Sequence, residues 1–291
     1  MAELISKKFI EWEKTCNDRF NKLKENEEKL NSFFIDLYGI SNEITPEVDE
    51  RCITVRKADL QREIKSLISY AVGCIFGRYS LDKEGLCYAG GKWEASDYST
   101  IIPCSDNIMT INNIDDGLNA ALTDFIEKAY GKDTLEENLR FISDSLGGND
   151  DSRNVIFKYL RKGFFADHLK VYKKRPVYWQ IESGSKGAFK ALMYIHRYGD
   201  DSLSILENDY AIPRFESLKA ELSKLNEAYS AASGSERTLI RRNISRLQAL
   251  ILEMEGFIYR VHDLASQGIA LELDDGVKCN YEKLKDILAQ Y

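Results

Sequence analysis

The sequence predicts a mainly α fold: a helical domain carrying a small β-hairpin, then a long antiparallel, coiled-coil-like helical hairpin near the C-terminus. Three observations predict it. Apolar residues recur at spacings of three and four along most of the chain, which is the stripe of an amphipathic helix. Only 4 prolines interrupt 291 residues, so few breaks are forced on those helices. One stretch alone, residues 176–198, has the aromatic and β-branched content of paired strands. On these grounds residues 1–200 form the helical domain, with an irregular insertion at 85–113 and the β-hairpin at 176–198, and residues 201–291 form the helical hairpin and a C-terminal tail.

In the first helix Ile5, Phe9, Trp12, Cys16, Phe20, Leu23, Leu30, Phe34 and Leu37 share one stripe above a polar face dense in Lys and Glu. It ends near Gly39, and Thr45-Pro46 reads as a turn or extended crossing because the residue before proline avoids the helical region. The short run from Cys52 to Arg56 suits extended backbone. Asp59 is placed to cap a second helix through Ile64, Leu67, Ile68, Ala71, Val72, Ile75 and Phe76. Apolar on most of its circumference, that helix belongs in the core. Residues 85–113 mix Gly, Asp and Ser with short apolar pieces, which predicts an irregular excursion. Helices resume at 117–129, 134–146 and 152–160.

Val177-Tyr-Trp-Gln-Ile181 and Phe189-Lys-Ala-Leu-Met-Tyr-Ile195 flank Gly184-Ser-Lys-Gly187, the pattern of a β-hairpin. The second arm also suits a buried helix, through Phe189, Leu192, Met193 and Ile195. Beyond it, Phe215, Leu218, Leu222, Leu225 and Tyr229 are followed by a small-residue segment from Ser230 to Ser235. Then come Ile240, Ile244, Leu247, Ile251, Met254, Ile258 and Val261. Steps of three and four place such residues on the seam of a coiled coil. A helix over 236–266 would reach roughly 46 Å, long enough for an arm or a spacer.

Charge and composition exclude several function classes. A net charge of −7 with 44% hydrophobic and 30% charged residues describes a globular protein rather than one that coats nucleic acid. The six cysteines are scattered without a C-x-x-C pair and only three histidines accompany them, which makes a poor zinc site and predicts reduced thiols in the cytoplasm. No apolar run is long enough for a membrane span, and no signal peptide opens the chain. A methyl-transfer centre acting on adenine needs a glycine-rich strand-to-helix turn and an Asn/Asp-Pro-Pro-aromatic motif to hold the flipped base. All four prolines, Pro46, Pro103, Pro176 and Pro213, are isolated. Gly90-Gly91 and Gly147-Gly148 lack the spacing of a nucleotide loop. Asp274-Asp275 before Gly276 reads as a solvated turn rather than a Mg²⁺ site, and His168, His196 and His262 have no nucleophile beside them. No catalytic residue, metal or cofactor is assigned to the chain.

Several blocks carry a family resemblance. Leu30-Asn-Ser-Phe-Phe-Ile-Asp-Leu-Tyr-Gly-Ile40, Glu43-Ile-Thr-Pro-Glu-Val48, Ser69-Tyr-Ala-Val-Gly-Cys-Ile-Phe-Gly-Arg-Tyr-Ser-Leu-Asp82, His168-Leu-Lys-Val-Tyr-Lys-Lys-Arg-Pro-Val-Tyr-Trp179, Phe189-Lys-Ala-Leu-Met-Tyr-Ile-His-Arg-Tyr198 and Leu273-Asp-Asp-Gly-Val-Lys-Cys-Asn-Tyr281 follow one another along the chain. In that order they resemble the C-terminal region of BREX phage-exclusion adenine-specific DNA methyltransferases and related single-chain restriction-modification enzymes. The resemblance implies a large polypeptide in which methyl transfer from S-adenosylmethionine takes place upstream. It implies a supporting role for this region, in engaging double-stranded DNA or in assembly with the methyltransferase body or other defence proteins. The family's catalytic motifs have no matching positions here. Met1-Ala2 opens almost directly into the first helix, as either an excised domain or a separately encoded piece would.

Residues 150–199 hold eleven Lys or Arg against four Asp or Glu, a basic island in an acidic chain. Lys158, Arg161, Lys162, Lys170, Lys173, Lys174 and Arg175, interleaved with Phe164, Phe165, Tyr172, Tyr178 and Trp179, are the candidate DNA-backbone contacts. The alternative is a solvated helix face whose aromatics are core and whose cations pair with acids elsewhere. Arg237, Arg241, Arg242 and Arg246 form a secondary candidate set, better suited to the solvated or ion-paired flank of a coiled coil. A second function stands beside DNA support: an interaction module, in which the first helix and the helical hairpin dock the methyltransferase body or a partner defence subunit.

Overall fold

The computed structural model describes residues 3–290. Helix α1 (Ile5–Tyr38) closes at Gly39, whose left-handed φ of 67° lets its N–H reach back to the Asp36 carbonyl, a conformation glycine adopts without penalty. Asp59 caps α2 (Leu60–Ile75) by accepting from the Arg62 N–H. Of the run from Cys52 to Arg56 expected to be extended, Cys52 closes a 3-10 turn, Glu50–Cys52, in which the Asp49 side chain accepts from the Arg51 N–H, Ile53 is extended, and none of the five residues joins a strand. Without a neighbouring strand, those amides turn to local acceptors. Helices α3 (Gly117–Tyr130), α4 (Leu135–Ser145), α5 (Ser152–Lys162) and α6 (Phe164–Val171) follow. Together with α2 they enclose a first core centred on Ile68, Val72, Phe76, Leu122 and Ile142.

Strands β2 (Tyr178–Glu182) and β3 (Lys190–Tyr194) pair antiparallel, Tyr178 opposite Tyr194 and Ile181 opposite Ala191. The second arm is therefore a strand and not a helix. The hairpin also gains a neighbour. Ile108–Thr110, at the end of the stretch expected to be irregular, forms β1 and pairs with β3, Ile108 opposite Met193. Three residues are too few to show a period of two, which hid this strand from the pattern. The outer edge of β2 is covered as well: Ala289 N–H donates to the Gln180 carbonyl at 2.8 Å and Glu182 N–H to the Ile287 carbonyl at 3.0 Å. An edge so covered offers no template for another chain.

Alternation along the strands divides the sheet between two cores. Tyr178, Leu192 and Tyr194 face the first core. Trp179, Ile181, Ala191 and Met193 face a second, built with the C-terminal helices. Those are α7 (Ser202–Ile205), α8 (Ile212–Ala231), α9 (Gly234–Ser266) and α10 (Val277–Leu284). Between α7 and α8 the backbone widens into a π turn, Leu206–Ala211. Pro213 lies just beyond it, in the first turn of α8, and the widened turn accommodates a ring that removes an amide and crowds the carbonyl four residues back. Helices α8 and α9 form the expected hairpin, joined by Ala232 and Ser233. Its root is core rather than free arm. Leu218, Leu247, Met254, Phe257 and Val261 are buried, with Phe257 stacked on Phe189 at 5.2 Å.

Candidate nucleic-acid interface

The basic island occupies α5, α6 and the turn into β2, and its cations take three different situations. Arg161 is internal: its guanidinium donates to the carbonyls of Ile111 and, at 2.5 Å, of Gly187. Burial holds its pKa below the usual arginine value, and the charges of Arg214 and Arg246 add to that. Lys158 and Lys170 are exposed but paired, with Asp150 at 2.7 Å and Asp167 at 3.6 Å. Lys162, Lys173, Lys174 and Arg175 are exposed, and none has a carboxylate within ion-pair distance among the described residues.

Three of those four free cations share one tight turn. Lys173 and Lys174 adopt φ of 50° and 60°, the left-handed region that side chains with a Cβ seldom enter. The Lys174 N–H donates to the Leu169 carbonyl at 2.8 Å and the Arg175 N–H to that of Tyr172 at 2.9 Å. Lys173, Lys174 and Arg175 thus crowd the C-terminus of α6, where the helix dipole favours positive charge. The intervening aromatics belong to the interior. Phe164, Phe165, Tyr178 and Trp179 are buried and Tyr172 is half-buried, so these rings do not stand beside the cations as an exposed stacking surface.

The secondary set lies on α9. Arg237 stacks over Tyr229 at 4.6 Å, while Arg241 and Arg242 stand in solvent. Arg246 reaches the field of Arg161, so the two sets meet at that point. Arg214 completes the group, its Nε donating to the Ala188 carbonyl at 3.2 Å. Arg161 and Arg214 therefore grip adjacent carbonyls of the β2–β3 loop. Nothing in the sequence distinguishes Arg214 from its neighbours, because its partner lies 26 residues away.

A carboxylate holds the same loop as well. Glu253 of α9 accepts from the Ser183 hydroxyl at 2.7 Å, the Lys186 N–H at 2.7 Å and the Ala188 N–H at 3.0 Å. Burial pushes its pKa up, but these hydrogen bonds outweigh it and hold the carboxyl below its ordinary value. Among the described residues, no three His, Cys, Asp or Glu side chains are grouped to hold a metal ion. Asp274 and Asp275 sit in an exposed 3-10 turn. No helix among the described residues is long and apolar enough to cross a membrane.

No family model matches the sequence. It is 40% identical over 283 residues to the adenine-specific methyltransferase PglX of Lacticaseibacillus casei (strain Zhang). To the adenine-specific methyltransferase BrxX of Escherichia coli O9:H4 (strain HS) it is 36% identical over 277 residues. These alignments take in 94% and 89% of this chain but 24% and 22% of the relatives. The chain spans about a quarter of the length of the curated relatives it matches.

Proposed function

We propose that this chain, homologous over nearly its whole length to a segment of adenine-specific methyltransferases, is a non-catalytic region of a phage-defence methyltransferase that holds duplex DNA by its phosphates. The observation that supports this most directly is the Lys173–Lys174–Arg175 turn, three exposed cations without carboxylate partners among the described residues, in a chain of net charge −7. Cations concentrated at a helix end contact phosphate oxygens, which positions a duplex without reading its sequence. Methyl transfer, with S-adenosylmethionine as donor, belongs to the parent polypeptide outside this chain.

The test is a salt series with the 291-residue chain and a fluorescent duplex. Binding is expected at low salt and weakens as salt rises, because each neutralised phosphate releases counterions. The K173E/K174E/R175E variant should bind more weakly and with a shallower salt slope. Absence of binding at low salt, or binding indifferent to salt, removes the phosphate role.

One observation favours a second reading, docking on the methyltransferase body. The 34-residue α1 buries only Ile5, Cys16, Phe20 and Ile35. Ile10, Leu30, Phe33, Leu37 and Tyr38 are each more than half exposed, an unusual apolar load for a free surface. Failure of the salt series would leave this as the function of the region.

A further inference from the structure

A cavity of about 440 Å³ opens between α2, α5, α6 and the start of β2, large enough for a small ligand. Its walls are aromatic. Tyr70 and Tyr79 line it as a stacked pair with centroids 5.4 Å apart. His168 lines it too, 4.5 Å from Tyr172 and 5.0 Å from Tyr178.

Two buried polar atoms of residues in that lining have no hydrogen-bond partner among the described residues: His168 Nδ1 and the Tyr178 hydroxyl. The two residues are 3% and 1% exposed, so water does not serve these atoms freely. His168 Nε2 lies 3.1 Å from the Val177 N–H and 3.3 Å from the Tyr178 N–H, accepting from both. A neutral imidazole that accepts at Nε2 carries its proton on Nδ1. Burial, with the charge of Arg78 adding to it, keeps the ring neutral by lowering its pKa to about 3. Nδ1 is thus an N–H donor, and the Tyr178 hydroxyl is the second unmet group of the lining. Leaving such a donor unmet costs about 1–3 kcal/mol.

These features choose among ligand chemistries. The rim carboxylate Asp167 is already engaged, by Lys65 at 2.9 Å, Lys170 at 3.6 Å and the Tyr159 hydroxyl at 3.2 Å. Lys65 also lies over the Tyr159 ring. Asp59, the other carboxylate of the lining, is exposed and accepts from the Arg62 N–H as the cap of α2, and a cationic guest placed against His168 would be opposed by the charge of Arg78. A neutral planar ring with acceptors on its edge matches the unmet donor and the flat walls together.

We propose that this cavity binds a nucleobase, stacked against the tyrosines with its acceptor edge on His168 Nδ1 and the Tyr178 hydroxyl. The base comes from a free nucleoside or nucleotide, or is one displaced from a DNA duplex. The inference stands apart from the phosphate role of the Lys173–Arg175 turn. Base–aromatic stacking contributes about 1–3 kcal/mol per base, enough for measurable binding with the hydrogen bonds added.

The test uses the full chain in two arms. Adenosine and its 5′-monophosphate are titrated by calorimetry. Duplexes carrying 2-aminopurine, either paired or opposite an abasic site, are followed by fluorescence. Saturable binding of the free nucleoside assigns the small-molecule source, and binding confined to the unpaired 2-aminopurine duplex assigns DNA. In either case Tyr178→Phe, which removes one oxygen and keeps the ring, should weaken binding by about tenfold, one hydrogen bond. His168→Phe should weaken it further, and K173E/K174E/R175E should leave nucleoside binding unchanged. If H168F fails to fold by its thermal transition, Y178F decides alone. No binding in either arm at millimolar ligand, or binding that Y178F leaves untouched, overturns the proposal.

Discussion

Glu253→Ala is expected to loosen the junction between the sheet and the helical hairpin. Its carboxylate takes three hydrogen bonds from the β2–β3 loop, two of them from backbone N–H groups. Hydrogen bonds to a charged acceptor contribute roughly 1.5–3 kcal/mol each, and the half-buried position lets water replace part of that, which leaves a net loss of about 2–4 kcal/mol. Urea unfolding of the chain measures it directly. Glu253→Gln, which keeps one acceptor and loses the charge, should fall between wild type and alanine. The pH dependence carries a sign. Because the folded carboxyl lies below its ordinary value of 4.5, its contribution is full above that value and disappears as pH falls through the folded pKa. The stability gap between wild type and E253Q should therefore narrow only on the acid side of pH 4.5. A loss under about 0.5 kcal/mol for E253A, the range of an inert surface change, would refute the assignment of Glu253 as the loop's anchor.

Arg161→Ala should destabilise by about 2–4 kcal/mol, since it strands the Ile111 and Gly187 carbonyls in a partly buried site. A double-mutant cycle with E253A should show coupling, because both side chains hold one loop. Wild type should lose stability as pH falls from about 6.5 toward about 3, by about 1.4 kcal/mol per pH unit from His168 alone. The unfolded imidazole takes up a proton over that range and the buried one does not. His168→Phe should flatten this segment of a denaturation profile, and an unchanged slope would show that the imidazole is not held neutral by the fold.

The helices were legible because their signal is local. Asp59 at the cap of α2, Gly39 at the end of α1 and the apolar stripe of α9 each act within one or two turns of their own position. The hairpin was legible for the same reason, Gly184 and Gly187 standing between two runs rich in aromatic and apolar residues. What the sequence concealed is joined across distance. β1 depends on a partner more than 80 residues on, and the Glu253 anchor on donors 65 to 70 residues away. The cavity draws Tyr70, Tyr159, His168 and Tyr178 from four elements. Among the island's cations only charge could be read, and charge does not reveal that Arg161 points inward while Lys173 points out.

That distinction sets a number for the DNA experiment. If all seven candidate cations met phosphates, log affinity would fall against log salt with a slope of about −6. Lys158 and Lys170 are already neutralised by Asp150 and Asp167, so a phosphate that takes them must displace a carboxylate, with little net release of counterions. Arg161 cannot leave its two carbonyls without opening the β2–β3 loop. Lys162, Lys173, Lys174 and Arg175 alone give about −4. Charge reversal of the last three should then remove most of the slope while leaving the urea midpoint close to wild type. A slope near −6 that survives the triple reversal would place the contacts elsewhere, with Arg241 and Arg242 on α9 the next cations to reverse.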